Sequence, residues 1–437
     1  MENLFSRLAI ANAQVSARYP VDSGRRQPVH TVYGGAHLFS ADLAPKLGRV
    51  ARTALDTYGA NPEEFARAAG LPVDLDLAAV IYGRVTDKLA REPVEDFRID
   101  FEDGYGNRPD DEEDRHAAQA AKETARGRAD GTLPPFCGIR IKPLSDELCR
   151  RSLRTLDRHV TALVEACGGE LPDNFVVTLP KITTVEHVRV LVEALAMLEQ
   201  STGLPERSLA LELMIETTQS ILDVDGKSPL GLFLDASDGR CVAAHFGTYD
   251  YTASCNITAA HQHMTHPTCD FARHMMQVAY SGRGIWLSDG ATNIMPVPVH
   301  RGESLTDDQR ADNRRSVHDA WRLHVEHIRH SLIHGYYQGW DLHPAQLPTR
   351  YAAVYAFFLE SLPAASQRLR NFVDKAAQAT LVGDVFDDAA TGQGLLNFFL
   401  RGINCGAFPE SEALATGLTL EELRGRSFVK ILENRRG

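Results

Sequence analysis

The 437-residue chain is poor in cysteine, with seven residues, an odd number, scattered and without a C-x2-C knot. That usage argues against a disulfide framework and for a reducing compartment. No apolar run approaches the roughly 18 residues needed to cross a bilayer. The N-terminus offers only Leu8-Ala9-Ile10-Ala11, shorter than the ~7 to 15 residues of a signal-peptide core, so a cytoplasmic location is expected. Positive charge is also in deficit: 58 Asp and Glu against 46 Lys and Arg give a formal net charge of −12. Phosphate backbones and anionic lipid are poor partners for such a surface, so neither nucleic acid nor membrane is expected, and small molecules are the better class. Gly104-Tyr105-Gly106 and Gly392-Gln393-Gly394 complete no dinucleotide or P-loop fingerprint. The second reads as a hinge or turn.

What the chain does have is apolar material for a large core, 43% of its residues, in an alternating pattern of short β-like runs and helical stretches. Eight runs are expected: 31–39, 97–101, 137–141, 175–179, 209–215, 242–246, 284–287 and a weak one at 339–342. Between them Leu153, Leu156, Val160, Leu163 and Val164 share one helical face, as do Val188, Leu191, Val192, Leu195 and Leu198. Thr183 with Glu186, Thr306 with Gln309 and Thr419 with Glu422 read as capping boxes. The acidic run 110–114 reads as the solvated first turn of a helix, where the macrodipole favours carboxylates. Eight strands with interleaved helices predict an α/β fold, a (β/α)8 TIM barrel, although counting alone also allows a doubly wound sheet. Three regions are expected: a lead-in over 1–29, a catalytic barrel over 30–362, and a C-terminal helical appendage over 363–437 covering the active site.

In such a barrel the residues at strand C-terminal ends converge on one rim. There the sequence places Asp100 to Gly104, Arg140, Pro180-Lys181, Glu216, Asp250 and His343 to Gln346. Glu216 and Asp250 end neighbouring strands, about 4.8 Å apart, so the two carboxylates can share one hard divalent cation. The same acids can instead cap helices or pair with Lys181 or Arg140; spacing leaves both open.

At these residues the sequence resembles the citrate lyase β-subunit-like aldolases (the HpcH/HpaI aldolase superfamily) and the related malate synthases. Asp100-Phe101-Glu102-Asp103-Gly104 is similar to their D-x-E-D-[GAS], Ile139-Arg140 to the arginine after the third strand, and Leu179-Pro180-Lys181-Ile182 to L-P-K-[IVM]. Met214-Ile215-Glu216-Thr217 resembles [LM]-I-E-T, Gly247-Thr248-Tyr249-Asp250-Tyr251 resembles G-R-W-D-Y, and His343-Pro344-Ala345-Gln346 resembles H-P-x-[QL]. Phe386-Asp387-Asp388-Ala389-Ala390-Thr391 is similar to the malate synthase [MV]-E-D-A-A-T. The chain departs from malate synthases at Thr248 and Tyr249, and after Arg140, where G-W-H is missing.

The resemblance implies a carbon–carbon lyase or synthase working through an enolate. Glu216 and Asp250 would hold magnesium or manganese, Arg140 would stabilise the enolate oxygen, and Asp388 would be the base. Glu102, Asp103 and Lys181 would orient the site, while Gly247, Thr248 and Tyr249 would hold the substrate carboxylate through their backbone. The implied partners are a 2-oxo acid such as glyoxylate and an enolisable donor such as an acyl-CoA, in a homo-oligomer. A CoA-independent pyruvate-type aldolase and a non-catalytic relative that binds an oxo acid or CoA are the alternatives. Residues 255–274, with Cys255, His261, His263, His266, Cys269 and His274, could suggest zinc, although a polar active-site loop is the simpler expectation.

Overall fold

A computed structural model describes residues 1–20, 25–374, 380–382, 385–387, 389–414, 417–425 and 431. Eight strands form a closed barrel: β1 (His30–Gly35), β2 (Asp96–Asp100), β3 (Phe136–Arg140), β4 (Phe175–Leu179), β5 (Ala210–Ile215), β6 (Cys241–Phe246), β7 (Trp286–Ala291) and β8 (Gln338–Asp341). All pairs are parallel and follow chain order, and β8 closes onto β1 with His30 opposite Gly339. This is the (β/α)8 TIM barrel. Outward-facing Phe97, Ile99, Ile139, Val177 and Leu213 bury against the surrounding helices.

Helix α1 (Glu2–Arg18) turns the lead-in into a helix without a buried residue. Helices α2 (Leu43–Tyr58), α3 (Pro62–Ala69) and α4 (Leu75–Arg91) bridge β1 to β2. They are followed by α5 (Asp110–Asp130), α6 (Cys149–Ala166), α7 (Val185–Thr202), α8 (Thr218–Ile221), α9 (Leu230–Ala236), α10 (Thr248–Ser254), α11 (Pro267–Tyr280) and α12 (Asp307–Ile333). Both predicted helical stripes are interior: Leu156, Val160 and Leu163 of α6 and Val188, Leu191 and Leu195 of α7 are fully buried. Among the described residues no helix is long and apolar enough to cross a membrane.

Helix α13 (Leu347–Asp374) buries Tyr351, Val354, Tyr355 and Phe358. It runs unbroken through positions 362 and 363, so the boundary expected there between barrel and appendage falls inside one helix. Residues Thr380–Val382 and Val385–Asp387 pair antiparallel. Helix α14 (Ala389–Asn404) packs on α13 through Phe358 and Phe398, ring centroids 5.4 Å apart. Gly392 and Gly394 lie inside this helix, so they form neither hinge nor turn.

Other expectations need correction. β1 stops at Gly35 because the chain turns into a 3-10 helix at Ala36–Leu38. β7 runs later than expected, through Ser288-Asp289-Gly290, whose polar side chains are satisfied internally: Asp289 accepts two 3.0 Å bonds from buried Arg273. The cap of α7 is Thr184, not Thr183, while the boxes at Thr306 and Thr419 form. In the acidic run, Glu113 is buried and accepts from Lys142 at 2.8 Å, so that turn is not simply a solvated face.

The barrel's middle layer is ionic. Arg98 of β2 forks onto Glu212 of β5 (Nε to Oε2 2.9 Å, Nη2 to Oε1 2.6 Å) and contacts Asp96. Thr178 donates to Glu212 at 2.9 Å and Thr31 to Asp96 at 2.8 Å. Such a layer fixes side-chain geometry below the rim more than it adds net stability, because desolvation offsets much of the attraction.

Candidate active site

The motif around Asp100 is a cradle for one guanidinium. Asp100 and Arg140 end β2 and β3 in direct register. Arg140 Nε donates to Asp100 Oδ1 at 2.8 Å and Nη2 to Oδ2 at 2.6 Å. The carboxylate also accepts the backbone N–H of Glu102 at 3.0 Å and of Gly104 at 2.7 Å. A Cβ on Gly104 would stand 2.7 Å from Asp100 Oδ2, which explains the glycine. Burial pushes the Asp100 pKa up, but Arg140 and the two amides outweigh it and hold it below the usual carboxylate range. Arg140 Nη1 lies 2.9 Å from Glu102 Oε2. The rings of Tyr33 and Trp340, centroids 4.8 and 5.4 Å away, flank the guanidinium.

On the same rim, buried Glu216 accepts the Lys181 backbone N–H on Oε1 at 2.7 Å. Lys181 adopts φ +49°, a left-handed conformation costly for a residue with a side chain. The Glu216 carboxylate rests on bare backbone, since a Cβ at Gly247 would fall 2.3 Å from its Oε2. The Lys181 ammonium contacts Glu102 and lies 3.2 Å from Asp103 and 3.6 Å from Asp250. Three carboxylates thus meet one ammonium, with Glu216 held on the backbone N–H of the same residue. Burial, then the charges of Glu102 and Asp250, push the Glu216 carboxyl up to about 8. Two carboxylates under that repulsion, Glu216 and Asp250, fit a magnesium- or manganese-sized cation that keeps its other positions for water and substrate, and such a cation relieves it.

The side chains of Thr248 and Tyr249 turn elsewhere: Thr248 Oγ1 meets Met264 Sδ at 3.3 Å, and the Tyr249 hydroxyl donates to the Ala291 carbonyl at 2.7 Å. The Gly247 N–H donates to the Ile215 carbonyl at 3.1 Å and its carbonyl accepts from Tyr251 at 3.1 Å, so Gly247 does not serve a ligand as expected, and the backbone N–H groups of Thr248 and Tyr249 at the start of α10 are the ones left to do so. His343 and Gln346 form a reciprocal cap, and Gln346 Nε2 ties to the Thr292 carbonyl at 3.0 Å, so that motif clamps the loop after β8. Asp388 lies outside the described residues.

Residues 255–274 do not converge on a metal. His266 caps α11, Cys269 is buried with its thiol toward the His263 carbonyl, and His274 packs tilted against His334, ring centroids 5.5 Å apart. Among the described residues no three His, Cys, Asp or Glu side chains gather to hold an ion. Sequence reasoning missed Tyr33 and Trp340. Strict alternation in β1, with Thr31 and Tyr33 inward, is the signal that points to the first.

A stretch of 95 residues is 38% identical to an L-malyl-CoA/β-methylmalyl-CoA lyase of Haloarcula marismortui, covering 22% of this chain and 25% of that protein. The match spans about a quarter of the curated relative's length. Among solved structures, a citrate lyase of Burkholderia xenovorans LB400 superposes with a TM-score of 0.55 at 18% identity, covering 77% of this chain and 92% of that one. A Haloferax volcanii malate synthase with magnesium and glyoxylate gives 0.45 at 16% identity, over 93% and 96% of the two chains. The citrate lyase superposition shows a shared barrel fold. The chain matches, over residues 8–431, the family described as Domain of unknown function (DUF6986), and it belongs to that family.

Proposed function

We propose that the protein is a magnesium-dependent carbon–carbon lyase or synthase that acts through an enolate on a 2-oxo acid and an enolisable donor such as an acyl-CoA. The observation that carries this reading is the gathering of Glu216, Asp250 and Glu102 around one lysine, on the same rim as the anchored Arg140. Glu216 and Asp250 would hold the cation, which when bound supplies Lewis-acid polarisation of the substrate carbonyl. The backbone amides of Thr248 and Tyr249 receive the substrate carboxylate. Asp100 engages two of Arg140's five N–H groups, a third leans on Met214 Sδ at 3.7 Å, a weak acceptor, and Glu102 Oε2 lies 2.9 Å from Nη1 as an ion pair without a hydrogen bond. The remainder serve the developing enolate oxygen, with Asp100 fixing the fork before charge appears. Lys181, Glu102 and Asp103 orient the rim.

Asp388 takes a proton from the donor's methyl group. The electron pair so released forms the new carbon–carbon bond at the oxo-acid carbonyl carbon, and the carbonyl π pair moves onto oxygen. Run backwards, the same groups cleave a hydroxy acid. The test is calorimetric titration with glyoxylate and pyruvate, with and without magnesium. Metal-dependent binding that disappears in Glu216→Ala and Asp250→Ala is expected; titrations unchanged by both substitutions would overturn the assignment. Methyl-proton exchange on acetyl-CoA marks a CoA-dependent enzyme, and exchange on pyruvate alone the CoA-independent aldolase.

A further inference from the structure

Beyond Lys181 the rim opens into a cleft of about 580 Å³. Lys181, Glu216 and Asp250 line it where it meets the rim. Its walls include Pro143, Leu144 and Leu148 with the intervening Ser145 and Asp146 between β3 and α6, Thr183 and His187 at the start of α7, Thr217 after β5, and Ser254 at the end of α10. Pockets of about 300–1,000 Å³ take ligands far larger than glyoxylate, which alone would leave most of this space to water. The cleft also begins at residues 143–148, just after Arg140, where the sequence departs from malate synthases.

The lining chemistry narrows the occupant. Pro143 and Leu144 are buried, and Leu148 is partly so. Among the described residues no Lys or Arg lines the cleft apart from Lys181, and Asp146 is the only acid besides Glu216 and Asp250. Burial lowers the His187 pKa, which leaves its imidazole neutral near pH 7. A distal phosphate or second carboxylate would find no counter-charge there, while an aliphatic chain would exchange water for Leu144 and Leu148.

We propose that this cleft seats the uncharged aliphatic chain of a medium-length 2-oxo acid whose carboxylate and carbonyl lie at the Glu216–Asp250 end. The proposal rests on the oxo-acid reading of the site and adds a substrate class to it. Each methylene moved from water to an apolar wall is worth about fourfold in affinity.

The test titrates the full chain, with magnesium, against glyoxylate, 2-oxobutanoate and 2-oxohexanoate. Thr183→Trp and Ser254→Trp, both exposed positions on different walls, each push an indole into the cleft. Affinity is expected to rise along the series to about tenfold or more for 2-oxohexanoate over glyoxylate, and either tryptophan is expected to collapse that ratio toward one. A wild-type ratio near one, or a ratio that neither well-folded variant changes, overturns the proposal. Glyoxylate binding without a length preference rejects the cleft alone; no binding of any oxo acid rejects the site reading with it.

Discussion

Arg140 and Asp100 meet as a bidentate fork across the ends of β2 and β3, Nε to Oδ1 at 2.8 Å and Nη2 to Oδ2 at 2.6 Å, with both side chains about 1–2% exposed. The pair fixes the Arg140 guanidinium at the rim.

Removing half of that fork leaves a buried charge unpaired. Asp100→Asn is expected to lower unfolding stability by about 3 kcal/mol, and Asp100→Asn with Arg140→Met to recover part of the loss because neither charge then remains. Urea denaturation reads both. A single variant as stable as wild type would mean that water reaches Arg140.

Gly247 carries no donor atom, yet it governs one. Gly247→Ala places a methyl group against the Glu216 side chain, with contacts of 2.3 Å to Oε2 and 2.5 Å to Cβ. Magnesium-dependent glyoxylate binding is expected to weaken by about tenfold or more, about 1.4 kcal/mol. Unaltered affinity would place the cation away from Glu216.

Asp388→Asn separates binding from proton transfer. Metal-dependent oxo-acid affinity is expected to hold, while donor methyl exchange followed by NMR falls about 10²- to 10⁴-fold, the usual contribution of a positioned base. Full exchange in the variant would assign the base elsewhere.

Acid sensitivity has an identifiable source in a histidine. Burial pushes the His159 pKa down to about 4, against the opposing effect of its hydrogen bond to the Ala117 carbonyl. In the unfolded chain the imidazole titrates near 6.5. Between those values the unfolded state binds more protons, so stability falls as pH drops from about 6.5 to 4, by about 1.4 kcal/mol per unit. His327, also held at about 4, acts in the same direction. His159→Phe, whose ring would sit between Phe101 and Phe175, is expected to flatten the urea-denaturation profile by one proton's slope; a profile parallel to wild type would exonerate this residue.

Strand positions were legible wherever apolar residues filled both faces, and β4 begins and ends at the expected residues, Phe175 and Leu179. β7 was not, because Ser288, Asp289 and Gly290 read as a turn to any hydropathy argument, whereas Arg273 and Ser331 satisfy Asp289 inside the protein. The end of β1 was overextended because Ala36 to Phe39 is apolar enough for a strand but follows two glycines, where the chain turns. The motifs brought Arg140, Glu102, Lys181, Glu216 and Asp250 to one rim. Their partnerships were not readable: the Lys181 contacts depend on a left-handed backbone, and the Arg140 bracket draws Tyr33 and Trp340 from opposite ends of the barrel sequence.

The seat of Glu216 on the bare backbone of Gly247 makes the end of β5 and the start of α10 one mechanical part. A shift of the α10 loop by a fraction of an ångström therefore moves a side chain on the neighbouring strand. Whatever engages Asp250 or the α10 amides is thus felt at Glu216, and the two acids answer a ligand together.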